Sequence, residues 1–148
     1  MGTQDQKRRK KAAIIACEVA AQSLAHYCPD LETWPNSWEI ERGDVAIGQR
    51  IVEVLKPFLL DLLRHGLTDK TLARHRDHLW MLGGEVIARR HDDAKLCKRP
   101  VEDVLFDLIE EEGGPLIWPN ITESKQNAFD ATCRKLYRFH AQGKPETG

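Results

Sequence analysis

Two histidines, His75 and His78, stand three residues apart in the stretch TLARHRDHLW. On a helix this spacing turns both imidazoles toward one side, as a metal pair would need. No further cysteine or histidine lies nearby at ligand spacing. The pattern therefore reads as a seam histidine held by a hydrogen bond (His75) and a surface histidine (His78). The four cysteines, Cys17, Cys28, Cys97 and Cys133, include no CxxC pair, which predicts reduced, buried thiols and no disulfide framework. No local signature marks a Cys–His nucleophilic pair, and the chain has neither a P-loop nor a GxGxxG turn. The expectation is a non-enzymatic chain with no catalytic residue, metal or cofactor.

The basic residues carry more information. Lys7, Arg8, Arg9, Lys10 and Lys11 form a compact cluster able to meet several phosphates. Lys70, Arg74, His78 and Arg89 share one helical face, and Arg134 and Arg138 share another. Such groups give phosphate affinity and register without reading base sequence. No aromatic side chain interleaves them, as a single-strand stacking platform requires; they read either as a surface for nucleic-acid phosphates or as ordinary solvated faces. A second reading takes the surface as a protein-docking face, in the manner of an inhibitor or adaptor. Trp34, Trp38 and Trp118 carry that reading, because exposed tryptophans anchor interfaces.

Charge along the chain supports either use. The 148 residues sum to −1, but in blocks of alternating sign. Residues 1 to 11 hold five basic side chains and one acidic, whereas residues 101 to 112 hold six acids and no base. Alternation of this kind predicts either internal pairing or a dipolar surface. The longest apolar run, PFLLDLL, is interrupted by Asp61 and is too short to span a membrane. No signal-peptide block follows the basic start, which makes cytoplasmic residence the expectation.

Helices must position these residues. The 3.6-residue period predicts an all-α fold, a compact bundle of about five helices. The divisions expected are a basic tail over 1–11, one helical domain over 12–141 and a flexible tail over 142–148. The first helix spans about 7 to 27, and CPDLETWPNSWEIERG follows as a loop. Asp44 is expected to cap a second helix, about 45 to 65, which Pro57 should kink or split. Thr68 caps a third, about 69 to 91, whose seam is Leu72, His75, Leu79, Leu82 and Val86, widened by Trp80 and Ile87. A fourth begins at Pro100 and ends at EEEGGP, and a fifth, capped by Thr122, runs from about 123 to 141. The third helix carries Gly83-Gly84 at its centre, costing roughly 2 kcal/mol relative to alanine. Its apolar seam stays in phase across the pair, which predicts a point where another helix crosses at short range.

Two segments, FLLDLLRHGLTDKTLARHRDHLWML at 58 to 82 and ESKQNAFDATCRKLYRFHAQ at 123 to 142, together resemble the helical core-binding domain of tyrosine recombinases and phage integrases. Leu67-Thr68 and Thr71-Leu72 match that family's turn and following helix, and Leu136, Tyr137 and Phe139 match its closing helix. The resemblance covers about 50 to 141. It implies a clamp lying against duplex DNA through basic helix faces, as in an accessory protein of a mobile element. The acidic block at 101 to 112 and the LIWPN insert depart from the pattern. The recombinase catalytic half has no counterpart in this sequence: no His-x-x-Arg occurs, and Tyr137 falls on a core stripe.

Overall fold

The structure is a computed structural model that describes residues 23–117 and 120–143. The Lys7–Lys11 cluster, most of the first expected helix, Cys17, Trp118 and residues 144–148 lie outside the described residues. Residues 23–27 are helical. After them come a 3-10 turn (Leu31–Thr33), α1 (Trp34–Ser37), α2 (Asp44–Leu63), α3 (Asp69–Asp92), α4 (Val101–Leu108) and α5 (Glu123–Gly143). A second 3-10 turn, Leu96–Lys98, joins α3 to α4. No strand occurs among the described residues, and only an isolated bridge links Glu110 to Gly113. The all-α bundle expected from periodicity is what forms, and no described helix is long and apolar enough to cross a membrane.

Most boundaries follow the local chemistry that predicted them. Thr68 caps α3, its hydroxyl accepting from Thr71 N–H at 3.2 Å. The Thr122 hydroxyl does the same for Lys125 N–H at 3.2 Å at the start of α5. That helix continues to Gly143, two residues into the expected tail. Pro57 neither splits α2 nor ends it. It sits on the exposed side, where water can satisfy the Glu53 carbonyl that loses its helical partner.

Asp44 departs from expectation. Gly43, in the left-handed region at φ 101°, takes the N-cap position, and Asp44 is the first residue of α2. Its carboxylate turns back to accept from Ile40 N–H (2.9 Å) and Glu41 N–H (2.7 Å), and it reaches His91 Nε2 at 2.9 Å. The residue thus closes the loop before its helix and ties that loop to the last turn of α3. Burial opposes the ionised form here. Hydrogen bonds from Glu41 N–H, His91 and Ile40 N–H outweigh it and hold the carboxyl below its ordinary value.

The largest correction falls on the segment expected to be a loop. Trp34 and Trp38 are only 3% and 5% exposed, and both belong to the core. Pro35 occupies the first turn of α1, a position that needs no N–H. The Trp38 indole lies on α3 at the two glycines. A Cβ at Gly83 would stand 2.3 Å from Trp38 Cζ2, and one at Gly84 would stand 3.3 Å from Cδ1. On the other side, a Cβ at Gly48 of α2 would meet Pro35 at 2.9 Å and Trp38 at 3.2 Å. The Trp38 Nε1–H donates to the Trp80 carbonyl at 3.0 Å. The glycine pair is therefore a packing device as predicted, but what approaches is an indole. Trp80 is displaced outward, 43% exposed, and its Nε1–H donates to Ser37 Oγ at 2.9 Å. Ile87 is buried as expected.

The remaining seams are conventional. α2 contributes Ile51, Val52, Leu55, Phe58, Leu59 and Leu62 to the core, and α4 contributes Val101, Val104 and Leu105. Arg50 on α2 grips Glu102 on α4 through Nε (2.9 Å) and Nη2 (3.3 Å). This pair ties α2 to α4, although both residues lie in stretches of the chain that are acidic overall. Phe58 meets Phe139 with centroids 5.5 Å apart, and Phe106 stacks on His140 at 3.5 Å.

The indole slot yields a paired prediction. Gly83→Ala must push Trp38 aside and should destabilise the fold by roughly 2 kcal/mol, even though alanine favours helix by about 1 kcal/mol. Gly84→Ala, with more room, should lie near neutral or be stabilising. Urea-unfolding midpoints compare the two, and equal midpoints would contradict the slot.

Candidate nucleic-acid interface

The α3/α5 seam is built on one threonine. Thr132 is fully buried on α5, and its Oγ1 lies 2.7 Å from Nδ1 of both His75 and His78. His78 also meets the Phe129 ring edge-on at 5.9 Å. Moving forward along α3 from His75 to His78 therefore moves backward along α5, from Thr132 toward Phe129, so the helices run antiparallel. Leu67, just before α3, lines one groove with Lys135, Arg138 and Phe139 near the end of α5. This extends the same register and sets the first turns of α3 against the last turns of α5.

A single hydroxyl has one proton, so it donates to one imidazole and accepts from the other. His75 Nε2 is buried without a partner. An unpaired acceptor there costs less than an orphaned N–H. We assign the His75 proton to Nδ1, donating to Thr132, whose hydroxyl then donates to His78 Nδ1. Both rings are neutral in this arrangement. Burial pushes His75 down to about 4, helped by Lys135, His78 and Arg74. Burial also lowers His78, with Arg74 adding to the effect and Asp77 opposing it. His75 is thus the hydrogen-bonded seam residue expected. His78 is not the surface residue expected: it is half-buried and turned toward α5.

The cations expected to meet phosphate divide into two groups. Arg89 is engaged with Glu85 at 2.9 Å, and Arg134 donates to the Glu112 carbonyl at 3.0 Å, pinning the acidic loop after α4. Lys70, Arg74 and Arg138 are exposed and pair with no carboxylate among the described residues. Lys135, which the sequence reading passed over, joins them in exposure and in lacking a carboxylate. Three residues beyond Thr132 on the antiparallel α5, it falls at about the level of Arg74 on α3. Helical phase was the signal for it, since Phe129, Cys133 and Leu136 are buried and leave 135 and 138 pointing outward together. By register and helical phase, Lys70 and Arg74 fall at about the level of Arg138 and Lys135, and we take the four as one candidate ridge.

Comparison with known protein families, curated proteins and solved structures returns no match.

Burial of Trp34 and Trp38 removes two of the three tryptophans on which a protein-docking face rested, and Trp118 lies outside the described residues. Cys28, Cys97 and Cys133 are free thiols. Cys97 is exposed, against expectation, because the short turn after α3 has no core to bury it in. No cluster of three or more potential metal ligands occurs among the described residues.

The seam histidines set a pH dependence. Their folded values lie below the ordinary 6.5, so the unfolded chain binds protons that the native chain refuses. Stability from this source is complete above pH 6.5 and falls as pH drops toward 4. Urea unfolding across that window should show the decline, with a shallower slope in His75→Asn. A slope unchanged by that substitution would contradict the assignment.

Proposed function

We propose that this chain is a non-enzymatic helical module that binds duplex DNA through the α3/α5 ridge. One observation carries the reading: Lys70 and Arg74 on α3, and Lys135 and Arg138 on the neighbouring α5, are each exposed with no carboxylate partner among the described residues. Single arginines on other faces, Arg42 and Arg64, are also exposed without a carboxylate partner among the described residues, so what sets the ridge apart is four such cations on two neighbouring helices. Arg50, Arg76, Arg89 and Arg99 each have an acidic neighbour. Like charges one helical turn apart, such as Lys70 and Arg74, repel by a few tenths of a kcal/mol. A polyanion laid along the ridge reverses that sign.

The resemblance to recombinase core-binding domains supports the same surface, since its matching residues, Thr68 to Leu72 and Leu136 to Phe139, lie on the two helices that carry the ridge. On this reading the chain is a DNA-associated accessory protein of a mobile element. The Lys7–Lys11 cluster would add non-specific phosphate contacts.

Four ridge contacts predict a slope of roughly −3.5 in log affinity against log salt, steeper if the N-terminal cluster joins. Arg74→Glu and Arg138→Glu should each weaken duplex binding by about tenfold or more at low salt, uniformly across sequences. Arg89→Glu, outside the ridge, should change it little. Fluorescence anisotropy with a labelled duplex measures all three. Absence of binding at low ionic strength, or equal loss from Arg89→Glu, would refute the proposal.

A further inference from the structure

Arg74 and His78 lie one turn apart on the same side of α3, so an anion held by Arg74 lies beside the imidazole. His78 is half-buried, with Nδ1 committed to the Thr132 hydroxyl and its ring edge-on to Phe129. In the free protein every nearby influence but one disfavours a charged ring there. Burial and Arg74 act against it, and Asp77, itself paired with Arg76 at 3.3 Å, acts for it. From α5, His78 contacts the neutral Thr132 and Phe129, and Lys135 on that helix bears on the linked His75. A phosphate on the ridge changes this balance, because it screens Arg74 and Lys135 and places a negative charge near the ring.

We propose that DNA binding at the ridge is proton-linked through His78: the bound polyanion draws a proton onto the imidazole, and acidification in turn tightens binding. The inference rests on the DNA-binding reading above.

The proton balance is simple. His78 is neutral before binding, with Nδ1 accepting from Thr132. The proton taken from solvent on binding leaves both ring nitrogens as donors. The Thr132 oxygen then accepts from His78 as well as from His75. Its own hydrogen turns to a backbone carbonyl one helical turn back on α5, an arrangement open to any threonine in a helix. The α3/α5 seam survives the change, and the ridge gains one positive charge. Reciprocity requires that whatever raises the proton affinity of His78 on binding DNA also raises DNA affinity on protonation, by the same factor.

The test uses the full chain and a short mixed-sequence DNA duplex at fixed ionic strength. Affinity should rise several-fold as pH falls from about 8 to about 6, with about tenfold per pH unit as the ceiling for one linked proton. The rise should flatten in His78→Asn, which keeps an acceptor toward Thr132 and cannot titrate, whatever its affinity at neutral pH. Independently of any variant, the NMR titration midpoint of the His78 ring in the wild-type chain should move upward when the duplex is added. Binding with an unmoved His78 midpoint and an unchanged pH slope in His78→Asn overturns the proton linkage and leaves the DNA reading intact. No binding at any pH at low ionic strength overturns both.

Discussion

The Trp38 indole occupies a slot that only glycine leaves open. It lies over Gly83 and Gly84 of α3 and beside Gly48 of α2, where any side chain at Gly83 would overlap the ring. The ring also fills its one polar obligation by donating to the Trp80 carbonyl. Burying a ring of this size offsets the roughly 2 kcal/mol that two helical glycines cost. The consequence is positional. With α2 and α3 held one indole apart, the rotation of α3 about its axis is fixed. His75 and His78 then face α5, and Lys70 and Arg74 face outward.

The second constraint is polar. Thr132 is the one buried hydroxyl that two histidines share, and its register decides which residues of α5 stand beside α3. It puts Lys135 at about the level of Arg74 along the seam, and Arg138 at about that of Lys70. Buried polar groups are costly when unpaired, so a seam written this way tolerates little slippage. The cationic ridge is a by-product of that register. Arg89 and Arg134 differ from the ridge residues in what lies near them, not in type. Glu85 sits one turn from Arg89 on α3, and the loop after α4 offers Arg134 a carbonyl.

Much of this architecture was legible from local pattern. The α3 seam, the Thr68 and Thr122 caps and the buried stripes of α2, α4 and α5 all follow from helical period and capping chemistry, because each depends on residues within one or two turns. What was illegible depends on pairs distant in sequence. Trp34 and Trp38 sit among prolines and acids that suggest a loop, and their burial requires Gly48 and Gly83, the latter 45 positions beyond Trp38. Asp44 looked like a helix cap because its partner His91 is 47 residues away. On the ridge, sequence reading found Arg74 and Arg138 by their spacing. It could not remove Arg89 and Arg134, whose engagement is a matter of side-chain geometry and loop path.

The proposed DNA contact predicts where the protein should change when DNA is added. Amide chemical-shift mapping of the full chain with a short duplex resolves this residue by residue. The account predicts perturbations concentrated at 70–78 and 132–138, with the Asp44–His91 junction undisturbed. Perturbations centred on Trp80 and the α1 segment, with the ridge silent, would contradict it.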